Sequence, residues 1–295
     1  VKSSRRILII FNPAARSDRA YGFVEDLKLL PRNVTVRHTE RAGDAEAIAE
    51  RAASQGFDTI IAAGGDGTVN EVVNGMAESG CQLGILPVGT MNVFATELGI
   101  PQNDIKKALS IALGGHAREV DLARANDEYF VQLAGVGLDA AVVGETSSDS
   151  KKNLGPVSYI FTLAHVAARK APVIRMIDAE GTKRSGSFLL VGNGRFYGGP
   201  FVLFNEARLD DGLLDVLVFK KQSHWDIIRY LQAIAFGAHP ELEDVEYFQT
   251  SSLTVECTEH VPVEVDGEMA GALPYRFSFV PRKLKVLVPE QSLPS

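Results

Sequence analysis

An apolar strand pattern, DTIIAAGG over residues 58–65, runs directly into Gly64-Gly65-Asp66-Gly67-Thr68 and then into TVNEVVNGMAES, where Val69, Val72, Val73 and Met76 share one helical face. A strand, a glycine turn and an amphipathic helix in that order belong to folds in which helices pack on a sheet. Glycines let the backbone turn sharply and approach a phosphate closely. The free N–H groups and dipole of the helix start favour an anion. Asp66 beside a phosphate would repel it, unless its carboxylate holds the magnesium ion that accompanies a nucleotide. The plain alternative is a tight turn in which Asp66 or Thr68 caps the helix. A Walker A loop is excluded, because no Gly-Lys-Ser/Thr follows.

The first 120 residues alternate the two periods: ILIIF, a helical stretch from about Tyr21 to Leu30, VTVRHT, the helix DAEAIAERAAS, DTIIAAGG, the Gly-turn helix and LGILPVG. This is the rhythm of a parallel sheet covered by helices on both faces. In such sheets ligands collect at the carboxyl ends of the strands. Phe11-Asn12-Pro13-Ala14-Ala15-Arg16 and Pro87-Val88-Gly89-Thr90-Met91-Asn92 would lie there beside Gly64–Thr68. Each alone is ordinary turn chemistry. Their agreement suggests one nucleotide cleft.

After Val120 the texture changes to short alternating runs parted by Gly, Asp and Asn: YFVQLAGVG, SFLLVGNG, LLDVLVFK, SLTVECT, VPVEVDGE and YRFSFVP. This half reads as mostly antiparallel β, with helices near 154–169 and 223–237. Domains of 1–122 and 123–282 are expected, with the closing segment 283–295, including the strand KLKVLV, open to either. Gly135-Val136-Gly137-Leu138-Asp139-Ala140 matches a G-x-G-x-x-A dinucleotide fingerprint, but no clear βαβ unit surrounds it.

Composition narrows the function. A net charge of -7 with both signs interspersed argues against nucleic acid as a partner and against purely electrostatic adhesion to anionic lipid. Cys81 and Cys257 are far apart with no CxxC spacing, so neither a zinc site nor a disulfide framework is read, and a reducing cytoplasm fits best. The apolar run after Arg5 and Arg6 is too short for a signal peptide and reads as a first strand. No stretch approaches the roughly 18 apolar residues that span a bilayer, so membrane contact is expected to be peripheral.

Taken in order, GGDGTVNEVVNG (64–75), PVGTMNVFATELGI (87–100), VDLARAN (120–126), GVGLDA (135–140), GNGRFYGGP (192–200), LDDGLLDV (209–216) and VDGE (265–268) resemble the diacylglycerol kinase catalytic-domain family, which includes the sphingosine kinases. The resemblance covers nearly the whole chain. It implies an N-terminal α/β nucleotide-binding domain like those of phosphofructokinases and NAD kinases, a C-terminal β-sandwich that helps form the lipid site, and ATP between them. Carried over by motif position, Asn12, Thr39, Gly64, Gly65, Asp66, Gly67, Thr68, Val69, Asn70 and Thr90 would line the ATP site, with Asp66 acting through Mg2+. The Asp-Gly-Glu motif would supply the catalytic base, Glu268 with Asp266 close by. From the residues alone, Val261, Val263 and Val265 alternating into Asp-Gly read as a hairpin. Some bacterial members bind a structural magnesium at Asp-Asp-Gly-Leu, which by position implies Arg208, Asp211 and Leu213. The chain departs from the family at Val93, where an Asp often follows Asn, and at Arg16, where a glycine is usual.

The implied reaction is transfer of the ATP γ-phosphoryl group to a lipid hydroxyl. The apolar segment 154–168 and the aromatic loop Phe196-Tyr197-Gly198-Gly199-Pro200-Phe201 are candidates for an acyl pocket or a membrane interface. Rival readings are a kinase of a soluble acceptor such as NAD, with Asn70-Glu71 as its acceptor motif, and a nucleotide-binding regulatory protein without turnover. A homodimer is possible under any of them.

Overall fold

The computed structural model describes residues 5–14, 30–146, 170–199 and 201–290; the expected helices at Tyr21–Leu30 and 154–169, together with Arg16 and Pro200, lie outside the described residues apart from Leu30. The chain divides into two compact units. One takes Val1–Leu122, Gly198–Pro200 and Val280–Ser295, the other Ala123–Tyr197 and Phe201–Phe279.

The first unit follows the alternation. Its described elements are β1 (Ile7–Phe11), β2 (Val34–His38), α1 (Asp44–Ser54), β3 (Thr59–Gly64), α2 (Asp66–Met76), β4 (Gln82–Pro87), α3 (Val93–Glu97) and α4 (Ile105–Gly114). The strands pair in the order β2-β1-β3-β4, all parallel, and Lys285 and Val286 add a further parallel strand against Gln82 and Leu83 of β4. Both faces of this sheet are covered, so β1 and β3 are buried along their whole length and read as continuous apolar runs. The predicted face of α2 is the buried one: Val69, Val72, Val73 and Met76. Helices α3 and α4 were not anticipated from the sequence; α3 is a single short turn set by tertiary contacts.

The second unit begins within β5 (His116–Ala125) and continues with β6 (Glu128–Phe130), β7 (Leu133–Val136), α5 (Leu138–Thr146), β8 (Ile174–Asp178), β9 (Lys183–Gly186), β10 (Phe188–Gly192), β11 (Phe196–Tyr197), β12 (Phe201–Val202), β13 (Leu214–Phe219), α6 (His224–Ala235), β14 (Val245–Thr250), β15 (Ser252–Glu256), β16 (Pro262–Val265), β17 (Glu268–Ala272) and β18 (Tyr275–Val288). YRFSFVP and KLKVLV are thus one strand, the first half paired with β15 and the second with β4. The run YFVQLAGVG is in turn two strands, broken at Val131-Gln132.

An antiparallel sheet in the order β14-β13-β10-β7-β16-β17 carries the second unit. On one face Ala134, Val136, Leu189, Val191, Val216, Val263 and Val265 meet Ile174, Met176, Leu253, Val255 and Phe277 of the facing strands, the dry layer of a β-sandwich. On the other face Leu133, Leu190, Leu217 and Phe219 pack with Leu138 and Val142 of α5 and Ile227 and Tyr230 of α6. Both faces of this sheet are therefore covered. On the part of that face that α5 covers, over β7 and β16, a polar residue turned away from the sandwich layer meets a helix and not water.

Candidate active site

In the first unit, three strand-end loops meet as expected. Asn12 donates from Nδ2 to Thr68 Oγ1 at 3.0 Å, and its Oδ1 accepts from Ala14 N–H at 2.9 Å. The N–H groups of Val88 and Gly89 both donate to Gly64 C=O, at 3.2 and 3.1 Å. A Cβ on Gly64 would lie 2.4 Å from the Thr68 side chain, and one on Gly89 only 2.3 Å from the Gly65 Cα. Real Cβ atoms do not come that close, so glycine is required at both positions. Thr39 is buried beside the end of β1, its N–H on Phe11 C=O at 3.0 Å, whereas Thr90 is exposed. Val69 and Asn70 are buried, and Asn70 Oδ1 accepts from Asn74 at 2.5 Å.

Asp66 has a partner that spacing did not indicate. Its Oδ1 accepts from Phe94 N–H at 3.4 Å, across to the start of α3. Burial raises the Asp66 carboxyl above its ordinary range, and the N–H groups of Phe94, Val93 and Asn92 oppose that shift. The loop they form is held by Asn92, buried in the left-handed conformation at φ 50°, which exchanges hydrogen bonds with Gly89 at 3.1 and 2.9 Å. Glu71 is taken up elsewhere: its carboxylate accepts from Gly43 N–H at 2.9 Å and Ala45 N–H at 3.0 Å, at the start of α1.

In the second unit, Asp266-Gly267 forms the tight turn between β16 and β17, with φ 47° and 87°. Positive φ at both central residues is the geometry that Asp-Gly favours. The Asp266 carboxylate accepts from Val131 N–H at 2.9 Å and from Gln132 and Leu133 N–H at 3.0 Å each. This explains the break between β6 and β7: those donors serve Asp266 and not a neighbouring strand. Glu268 follows the turn and is exposed at the start of β17. The two acidic residues of the motif therefore sit in opposite circumstances, one tied down by backbone donors and the other open to solvent.

The diacylglycerol kinase catalytic domain matches residues 6–125, and the YegS C-terminal NAD kinase beta sandwich-like domain matches residues 132–288. The chain is 32% identical to the diacylglycerol kinase of Bacillus subtilis, with 97% of each chain covered. It is 33% identical to that of Staphylococcus aureus strain RF122 / ET3-1, covering 97% of this chain and 93% of the relative. The chain belongs to the diacylglycerol kinase family. A crystal structure of a diacylglycerol kinase from Bacillus anthracis superposes with a TM-score of 0.80 at 26% identity, covering 99% of this chain and all of that one. The α/β unit followed by a β-sandwich is thus the architecture of the family.

Asp211 is exposed, its Oδ1 accepting from Leu213 N–H at 3.0 Å, while the Arg208 guanidinium lies 3.4 Å from Asp210. Among the described residues no three His, Cys, Asp or Glu side chains gather as a metal-binding group. Nearby Asp215 is fully buried, and its Oδ2 has no hydrogen-bond partner. Burial, followed by the charges of Asp211 and Glu206, raises its carboxyl to about 6, although Tyr247 and Gln249 donate to it. The exposed Asp211 carboxylate and the orphaned Oδ2 of Asp215 are oxygen donors of the hard kind that magnesium takes.

Sequence reasoning named Gly89 and Asn92 only as parts of a strand-end loop, Glu71 only in the motif of a rival acceptor and Asp139 only inside a glycine fingerprint, and it passed over Glu264; Asp139 and Glu264 are two buried acids of the second unit, 8% and 1% exposed. A signal existed for the last two. Glu264 lies on a strand of alternating valines, and Asp139 follows two glycines at a strand-to-helix turn. Neither pattern reveals that a helix covers that face.

Proposed function

We propose that the protein is an ATP- and magnesium-dependent lipid kinase that transfers the γ-phosphoryl group to the hydroxyl of diacylglycerol or a related lipid, working peripherally at a membrane. The observation that carries this reading is the convergence of Asn12, Gly64–Thr68 and Gly89 at one sheet edge, in a chain of this family. The N–H groups at the start of α2 bind phosphate oxygens, and the absence of side chains at Gly64, Gly65 and Gly67 admits them closely. Asn12, Thr39, Thr68, Val69, Asn70 and Thr90 complete the nucleotide site. Magnesium, held by Asp66, supplies charge neutralisation for the phosphates. Asp211, with the main-chain carbonyls of Arg208 and Leu213, holds a structural ion.

Glu268 accepts the proton of the lipid hydroxyl, and Asp266 fixes the turn that presents it. An exposed carboxylate is suited to meeting a substrate that arrives from outside the protein. A positioned base of this kind accelerates transfer by about 10²–10⁴-fold. The soluble-acceptor alternative is disfavoured, because both oxygens of Glu71 already accept from the start of α1.

The test is incubation of purified protein with labelled ATP, magnesium and a mixed-lipid pool in detergent, beside Glu268→Gln. Labelled lipid in the wild type, strongly reduced in the variant, is the expected result. ATP binding with no labelled lipid would overturn the reading.

A further inference from the structure

The segment Gly135-Val136-Gly137-Leu138-Asp139-Ala140 resembles a dinucleotide fingerprint, yet its glycines serve a different purpose. Gly137, at φ 93°, turns β7 into α5. A Cβ on Gly135 would lie 2.7 Å from both Asp139 Oδ2 and Glu264 Oε1, so two buried carboxyl groups converge on the space over a residue with no side chain. Their other oxygens are engaged. Tyr197 donates to Asp139 Oδ1 at 2.5 Å, and Gly267 N–H donates to Glu264 Oε2 at 2.8 Å. Two carboxylates brought this close at this burial repel each other when both are ionised, and a single proton between them removes the conflict.

We propose that Asp139 and Glu264 share one proton, and that this pair, through Glu264 Oε2 and Gly267 N–H, holds the Asp266-Gly267 turn in the form that presents Glu268. Glu264 is then a positioning residue for phosphoryl transfer, an assignment that rests on the lipid-kinase reading with Glu268 as base. The arrangement also links β11, through the Tyr197 hydroxyl, to the catalytic hairpin. Among the described residues, the titratable groups facing Glu264 are Asp139 from α5, with Tyr197 of β11 behind it, and Asp266 from its own turn; β7 presents Gly135, and β17 pairs Met269 with it.

Burial first, and then the charge of Asp139, raise the Glu264 carboxyl well above its ordinary value, with Gly267 N–H opposing. A raised carboxyl favours the folded arrangement below the ordinary carboxylate range, and that contribution is lost as pH rises through the elevated value. Loss of the shared proton to solvent leaves two buried charges pushing on the turn. Activity therefore falls on the alkaline side.

The experiment compares wild type, Glu264→Gln and Glu264→Leu in lipid phosphorylation across pH, together with infrared spectra of the carboxyl region. Gln accepts from Gly267 through Oε1 and donates to Asp139 through Nε2, reproducing the protonated pair at every pH. Glu264→Gln is expected to keep most of kcat at neutral pH and to lose the alkaline decline. Glu264→Leu is expected to lose about 10²-fold in kcat, the scale of a small misplacement of a catalytic group, with KM for ATP unchanged. Superimposable pH profiles for wild type and Glu264→Gln would overturn the proposal, as would full activity of Glu264→Leu. Should Glu264→Leu fail to fold, the Gln profile still decides. If the wild type phosphorylates no lipid, the functional reading fails separately. The infrared spectrum then decides the pair: a protonated-carboxyl band present in wild type and absent in Glu264→Gln supports it, and no such band in wild type refutes it.

Discussion

The carboxylate of Glu71, in the middle of α2, accepts hydrogen bonds from the N–H groups of Gly43 and Ala45, so that one helix caps the start of another. The cap residue of α1, Gly43 in the left-handed conformation, has no side chain to do this itself. Glu71→Ala leaves two helix donors without that partner and removes a negative charge from the positive end of α1. We expect a loss of about 1–2 kcal/mol, read from the urea midpoint at unchanged slope. ATP affinity should be unaltered. A selective loss of catalysis with unchanged stability would show that Glu71 belongs to the chemistry instead.

Gly65 and Gly89 touch backbone to backbone, but not symmetrically. A Cβ on Gly89 would lie 2.3 Å from Gly65 Cα, whereas one on Gly65 would make an ordinary 3.5 Å contact with Gly89 Cα. Gly65 has φ -92° and ψ -170°, which alanine adopts without strain. Gly65→Ala is therefore expected to keep the wild-type Tm while weakening ATP binding, since its methyl group intrudes where phosphate must approach. Gly89→Ala is expected to lose both. Calorimetric titration with ATP and a thermal melt on each variant separate the two outcomes.

Asp266 and Glu268 are two residues apart and should respond oppositely to substitution. Asp266→Ala removes a carboxylate that holds three backbone N–H groups and places alanine at positive φ, so a loss of about 2–4 kcal/mol is expected in chemical denaturation. Glu268→Gln changes an exposed side chain and should leave the denaturation midpoint in place. Its kcat should fall by about 10²–10⁴-fold. If Glu268→Gln retained full activity while unfolding at lower denaturant, Glu268 would be the structural acid of the pair.

Asp244 anchors the region beneath α6, accepting from Arg229 and from the Tyr230 hydroxyl at 3.0 Å. The guanidinium of Arg229, ahead of the opposing effect of burial, lowers the Asp244 carboxyl to about 2. A depressed carboxyl contributes stability that is present above its unfolded value and lost as pH falls through the folded one. Arg229→Met should thus melt about 2–4 °C below wild type at neutral pH. That gap should close as pH is brought down towards 2. A gap that stayed constant with pH would mean the loss was one of packing.

Much of this was legible in the chain. The βαβ rhythm, the limits of α1, the buried face of α2 and the Asp-Gly turn follow from local periods and turn chemistry that act within a few residues. Helix α3 was not legible, because five residues carry too little periodicity to announce a helix and its start is satisfied by Asp66, 28 positions earlier. The division of YFVQLAGVG into two strands escaped notice for the same reason: the acceptor that breaks it, Asp266, is 135 positions away from Val131.

The sequence by itself determined that a glycine-rich turn opens a helix after a buried strand, that the second half is β, and which family motifs are present. It could not determine what each acid does. Asp66, Glu71, Glu264, Asp266 and Glu268 are all carboxylates on or beside strands, helices and turns, chemically near-identical in a linear reading. Tertiary structure assigns them: Asp66 faces the start of α3, Glu71 that of α1, Glu264 a second buried acid, Asp266 three backbone donors, and Glu268 solvent. The reason is physical. The behaviour of a carboxylate is decided by burial and by the donors and charges within a few ångströms, and in a folded chain those neighbours come from distant parts of the sequence.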